Sequence, residues 1–250
     1  MSRNKKAYSF IAFCLGLASI LALIQAGGVL HGNRIVFPDV REIGEAFFRL
    51  LSKRETYIQI AVTMLHLLEA LAWSMGAGIL TGVASGMSDP MRSGLKPFMI
   101  MIRSLPMIVL VILMMVIFPY DRVPVVSGTL VLIPVISEAV SEGCRSVEPE
   151  LVDAYRLNSS FNHHVLIRVY IPMISGYLRQ AFFNAAGMGL KVIVSAEFLV
   201  QTKMSLGKAV YSSSYFLEYA DIYAYALIMI LMVLLITELP MFFFRKTENK

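Results

Sequence analysis

Val152-Asp153-Ala154-Tyr155-Arg156-Leu157-Asn158-Ser159-Ser160-Phe161-Asn162-His163-His164-Val165-Leu166-Ile167-Arg168-Val169-Tyr170-Ile171-Pro172 is a polar stretch of helical spacing set between long apolar segments. Glu148-Pro149-Glu150 precedes it and reads as a helix start, since proline is tolerated in a first turn and acids suit it. Asp153 falls near that start, where negative charge is favoured, and the small Ala154 permits close approach of another surface. Asn158-Ser159-Ser160 supplies a break and an N-cap for a second helix. Pro172 marks where the next apolar segment begins. The stretch has the form of a rigid projection that docks on a partner. An ordinary amphipathic loop has the same pattern, and the residues alone leave both readings open.

The surroundings say what kind of protein carries it. The chain has 250 residues, is 57% hydrophobic and only 16% charged, with a mean hydropathy of +0.69. Soluble domains carry about 25% charged residues, so this is a membrane protein. The net charge of +5 comes from short basic clusters between apolar runs. Such clusters set membrane topology, and the chain is not expected to bind nucleic acid. Cys14 lies in the first apolar run and Cys144 beside the polar stretch, so neither a disulfide nor a zinc site is expected. No cofactor is implied.

A bilayer-spanning helix needs about 20 mostly apolar residues. Six segments qualify: 8–29, 58–83, 97–118, 123–140, 169–200 and 222–244. The first follows Arg3, Lys5 and Lys6; a cleaved signal peptide competes with a retained span there, and a retained span is expected. The layout predicts an all-α membrane protein with one transmembrane domain over 1–250. Its parts are an N-terminal span within 1–30, an amphipathic outer segment at 41–54, and a membrane core at 58–244 with a polar loop at 141–171. In the outer segment, Ile43, Phe47, Leu50 and Leu51 recur at helical spacing, which reads as a short helix lying at the membrane surface. With both termini placed inside, Lys and Arg number eleven on the inner segments against eight on the outer ones. Five of those eight fall in that first outer segment. The count favours cytoplasmic termini.

Three features inside the membrane stand out. Gly78, Gly82 and Gly86 recur every four residues and clear one helix face for a close neighbour, with packing inside the chain favoured over a subunit contact. Lys191 and Glu197 are charges within an apolar segment, where each costs about 3 kcal/mol at mid-bilayer. They line a translocation path or brace the helix near its ends; both readings stand. Motifs for catalysis are missing from the sequence: no His-Glu-x-x-His and no Gly-x-Ser-x-Gly occurs. Gly207-Lys208 is followed by Ala209 and has Thr202 where a phosphate loop needs its first glycine. The chain is therefore not expected to be an enzyme or to bind ATP itself.

The polar stretch resembles the coupling loop of permeases of binding-protein-dependent ABC importers, whose pattern is Glu-Ala-Ala, three residues, Gly, nine residues, Ile-x-Leu-Pro. Asp153, Ala154, Tyr155, Ser159, Val169, Ile171 and Pro172 fall on it without a gap. Asp153 replaces Glu, Tyr155 the second alanine and Ser159 the glycine. Over roughly 37–240 the chain is also similar to the nitrate, sulfonate and taurine subfamily. Arg103-Ser104-Leu105-Pro106 looks like its Arg-x-x-Pro, and Arg145-Ser146-Val147-Glu148-Pro149-Glu150-Leu151 like its Gly-x-Arg-x-Val-Asp-Pro-x-Leu. Leu190-Lys191 and Ser195-Ala196-Glu197 look like its Trp-Lys and Ala-Ala-Glu. The resemblance implies a MetI-like permease with about six transmembrane helices and a cytoplasmic coupling helix, in a bacterial cytoplasmic membrane. It implies as partners ABC ATPase subunits, an extracytoplasmic solute-binding protein and a second permease subunit, either a copy or a paralogue. Coupling would rest on Asp153, Ala154, Tyr155, Ser159 and Pro172. The solute would be small and polar, such as a nitrate, a sulfonate, taurine or a vitamin precursor. A secondary transporter or channel is the alternative. It would show inverted repeats with broken helices, and no internal repeat is visible in the sequence.

Overall fold

Pro106 sets the geometry of the third apolar segment. The computed structural model describes residues 38–146 and 171–248, and among them every regular element is a helix. In chain order these are α1 (Val40–Leu51), α2 (Arg54–Met87), α3 (Asp89–Ser104), α4 (Met107–Ile117), α5 (Val123–Arg145), α6 (Ile171–Val200), α7 (Leu206–Tyr215) and α8 (Tyr219–Glu248). The expected single span at 97–118 is corrected: Leu105 is extended at φ −69° and ψ 126°, and α3 and α4 meet at a bend of 103°. The cause is local. Proline drives the residue before it out of the helical region and removes an N–H from the ladder. The fourth segment is corrected in the other direction, since α5 runs on through Pro134 to Arg145. Pro124 sits in the first turn, where its missing N–H is an orphan anyway.

α2, α5, α6 and α8 each contain a stretch long and apolar enough to cross a bilayer, and the bent α3–α4 pair makes a fifth crossing if taken as one broken span. The first apolar run and residues 147–170 lie outside the described residues.

The chain divides into two compact units, each with its own packing. One consists of the residues up to Tyr57 with Ala209–Ile230. It contains α1, which is a helix as the periodicity of 41–54 predicts. Glu42 accepts the Asp39 backbone N–H at 3.0 Å to start it, and Ile43, Ala46 and Leu50 form its buried face. Arg49 of α1 pairs with the buried Asp221 of α8.

The other unit consists of Ile58–Lys208 and the residues from Leu231 onward. Here α5 is the central element, packed most extensively on α6 and also touching α3 and α4. Val111, Val123 and Ala196 form a buried cluster joining α4, α5 and α6, with Met107, Met114 and Leu199 around it. On another face, the glycine stripe of α2 lies against α5. A Cβ at Gly78 would stand 2.8 Å from the Ile136 Cβ, one at Gly82 2.6 Å from the Val140 Cβ, and one at Gly86 2.6 Å from the Cys144 Cβ. Two four-residue repeats, one of glycines and one of Ile136, Val140 and Cys144, therefore interdigitate within the chain. In a bilayer, where lipid tails offer no hydrophobic drive for helix association, such close backbone approach is a principal source of helix adhesion.

Gly82→Val should force these helices apart and cost about 1–3 kcal/mol. Gly76→Ala, whose Cβ meets nothing within 4 Å, should leave stability unchanged. Thermal unfolding of the detergent-purified variants checks the pair, and equal melting of both would refute the contact.

Candidate functional site

Glu197 stands three residues before the end of α6 and is completely buried, at 0% exposure. A carboxylate there needs donors on every side, because an unpaired buried charge costs several kcal/mol. It has them. The Thr63 hydroxyl donates to Oε2 at 2.9 Å, and the Gly207 N–H donates to the same oxygen at 3.2 Å. His66 Nδ1 lies 2.7 Å from Oε1 and donates when that nitrogen carries the proton.

The same residues cap α7. Its first N–H groups have no partner inside the helix. The Leu206 N–H goes to Thr63 Oγ1 at 3.0 Å, the Gly207 N–H to Glu197, and the Lys208 N–H to Ser205 Oγ at 3.2 Å. The Glu197 backbone carbonyl also accepts the Thr202 N–H at 3.2 Å, across Gln201 in the left-handed region at φ 56°. That is the hydrogen bond of a Schellman helix end. Gly207 is required for contact. A Cβ there would lie 2.4 Å from the Glu197 Cβ and 2.5 Å from the Phe198 N and the Val194 carbonyl.

Lys191 is placed differently, on the exposed face of α6 with Gln180, Asn184 and Ser195. At 3.6 residues per turn these four fall within about 60° of arc, making a polar stripe along an otherwise apolar span. The other side of α6 is its contact with α5. Near the polar loop, a Cβ at Gly143 would stand 3.1 Å from the Tyr177 side chain, so the end of α5 and the first turns of α6 touch. Pro172 is the second residue of α6, and Asp153, Ala154, Tyr155 and Ser159 lie outside the described residues.

Beside the end of α5, Arg145 Nη1 binds Asp89 Oδ1 at 2.8 Å. That hydrogen bond, and the charge behind it, hold the exposed Asp89 carboxyl below its ordinary value. The pair therefore contributes above the usual carboxylate range and is lost as pH falls through the lowered value. Sequence reading missed Thr63, His66 and Gly207 as partners of Glu197. The available signal was Thr63-x-x-His66, two polar residues on one face of an apolar helix, which in a membrane turn toward the protein interior.

The family described as "Binding-protein-dependent transport system inner membrane component" matches residues 74–249. The chain belongs to this family. It is thus the permease subunit of a binding-protein-dependent ABC importer, an inner-membrane component of a system in which the ATPase is a separate subunit. No curated protein matches the sequence. Among solved structures, the permease is similar to a chain of the MetNI methionine ABC transporter in inward-facing conformations, with a TM-score of 0.60 and 18% identity over 73% of this chain and 89% of that one. This likeness concerns the fold, and the MetI-like architecture expected from the sequence is the one found.

Glu197→Ala should strip the acceptor from Thr63, His66 and Gly207 together and destabilise the permease by about 2–4 kcal/mol. Glu197→Gln, which keeps one acceptor oxygen, should lose less. Melting curves of the purified variants distinguish the two, and an alanine variant that melts with the wild type would remove the carboxylate's anchoring role.

Proposed function

We propose that this permease forms half of a translocation pathway whose wall is the exposed face of α6, with a second permease subunit, a copy or a paralogue, completing it. The polar stripe of Gln180, Asn184, Lys191 and Ser195 carries this reading. Left facing lipid, the lysine alone would cost about 3 kcal/mol; a water-filled path facing a second subunit removes that penalty. Glu197 supports the path from behind, because its carboxylate is enclosed by Thr63, His66 and Gly207. Both termini lie in the cytoplasm, as the distribution of Lys and Arg favours. Residues 148–171 then project toward the ATPase, with Asp153, Ala154, Tyr155 and Ser159 on the docking element and Pro172 at the start of the next span. The extracytoplasmic binding protein delivers a small polar solute of the nitrate, sulfonate, taurine or vitamin-precursor kind. Among these, an anion is the one that the single cation of the stripe attracts.

In proteoliposomes with its ATPase and binding protein, Lys191→Met should reduce solute uptake at least tenfold while leaving protein level and melting temperature unchanged. Full uptake would exclude Lys191 from the path. Ala154→Glu should release the ATPase in pull-downs or leave its hydrolysis uncoupled from uptake. Retained, coupled activity would place the docking element elsewhere.

A further inference from the structure

A cleft of about 600 Å³ opens between α3 and α5, away from the polar stripe of α6. Arg92, Lys96 and Arg103 line one wall, and Ser137, Glu138 and Glu142 the other. The charges are only partly spent within the chain. Arg103 is held by Glu138 and by the Pro134 carbonyl at 2.9 Å, and Asp89 is held by Arg145. Among the described residues, Arg92 and Lys96 form no salt bridge, and neither does Glu142. The cleft therefore presents Arg92 and Lys96 without a salt bridge, with Arg92 close enough to Asp89 on the same wall for its charge to act on that carboxyl, and Glu142 without a salt bridge opposite them. Leu95, Met99 and Ile100 line it as well, so it has an apolar wall beside its charged ones.

The sequence of α3 says at what depth this cleft sits. At 3.6 residues per turn, Arg92, Lys96 and Arg103 fall within about 40° of arc. Met91, Phe98 and Met101 lie on the far side and are about half exposed, at 49%, 49% and 52%. A helix with a basic stripe and an opposed apolar stripe lies in the headgroup zone of a bilayer. The bend supports this. With α3 turned 103° from α4, the two helices cannot both run along the membrane normal.

We propose that the cleft is a binding site for a phospholipid with a zwitterionic headgroup, of the phosphatidylethanolamine class. The phosphate lies against Arg92 and Lys96, the primary ammonium against Glu142, and the first methylenes against Leu95, Met99 and Ile100. A free phosphate would satisfy the cations and leave Glu142 and the apolar wall unused. The charge pattern and the apolar wall together therefore select an amphiphile over a soluble ion. None of the residues lining the cleft belongs to α6.

The test is native mass spectrometry of the full-length permease in detergent, titrated with phosphatidylethanolamine, phosphatidylcholine, phosphatidylglycerol or soluble phosphoethanolamine. Phosphatidylethanolamine should bind at unit stoichiometry and most tightly. The double variant Arg92→Gln/Lys96→Gln should weaken it about tenfold or more, given roughly tenfold for each 1.4 kcal/mol and about 1 kcal/mol for each basic residue at a lipid surface. Glu142→Gln should abolish the preference over phosphatidylglycerol while leaving phosphatidylglycerol binding intact. All three positions are exposed, so the variants should melt with the wild type. Unaltered lipid binding by the double variant would overturn the site. Phosphoethanolamine bound as tightly as the lipid would overturn the lipid as its occupant, as would ATPase binding that is lost with the double variant and blocks the lipid.

Discussion

A fully buried glutamate is an expensive thing to place in a membrane protein, and much of the described architecture around α6 follows from how Glu197 is satisfied. Its carboxylate gathers Thr63 and His66 from α2 and the Gly207 N–H from α7, while its backbone carbonyl closes the turn at the end of its own helix. Two further helices, α2 and α7, are thus tied to one residue of α6. The turn is strained as well, with Gln201 and Met204 both in the left-handed region at φ 56°. Without glycine, such positions cost about 1–2 kcal/mol each. Strain of this kind persists only where the surroundings over-determine it, and here the donors around Glu197 do so.

A second constraint acts at the opposite end of the same unit. With little hydrophobic force between helices in lipid, α2 and α5 adhere because glycines let their backbones meet. α5 then has three occupied sides: α2 through the glycines, α6 through its longest contact, and α3 across the charged cleft. The polar stripe of α6 remains outside all of this packing. Its polarity is therefore a demand for water or a partner, which intrachain contact leaves unmet.

The helices were legible in the sequence because apolar runs of spanning length have few alternatives in a membrane. The glycine stripe on α2 was legible for the same reason, since a four-residue repeat has one helical meaning. The break at Leu105-Pro106 was misjudged, because Pro134 is as visible in the sequence as Pro106 and yet α5 runs through it. Whether a proline ends a helix depends on its neighbours as much as on its ring. The partners of Glu197 were hidden because Thr63 and Gly207 are 134 and 10 residues away from it, and no periodicity links them. The left-handed ends at Gln201 and Leu217 were hidden too, since neither carries the glycine or asparagine that announces such a turn. In the other direction, the coupling pattern at 153–172 is read from the sequence alone, save for Pro172 in the first turn of α6.

The placement of that loop has a mechanical consequence. It leaves from the end of α5 and returns at the start of α6, which are the two most extensively packed helices. Tyr177 covers Gly143 close to where they join it. Both feet of the loop therefore stand on one closely packed pair, and a force applied between them cannot be absorbed by spreading the helices apart. It must displace α5 and α6 together. Since α6 carries the polar stripe on its exposed face and is fastened near its far end by Glu197, any such displacement would carry the stripe with it. A docking element joined to two loosely packed helices would dissipate the same motion. If residues 148–171 dock the ATPase as proposed, close packing next to the loop is what would carry work done on it to the polar face of α6.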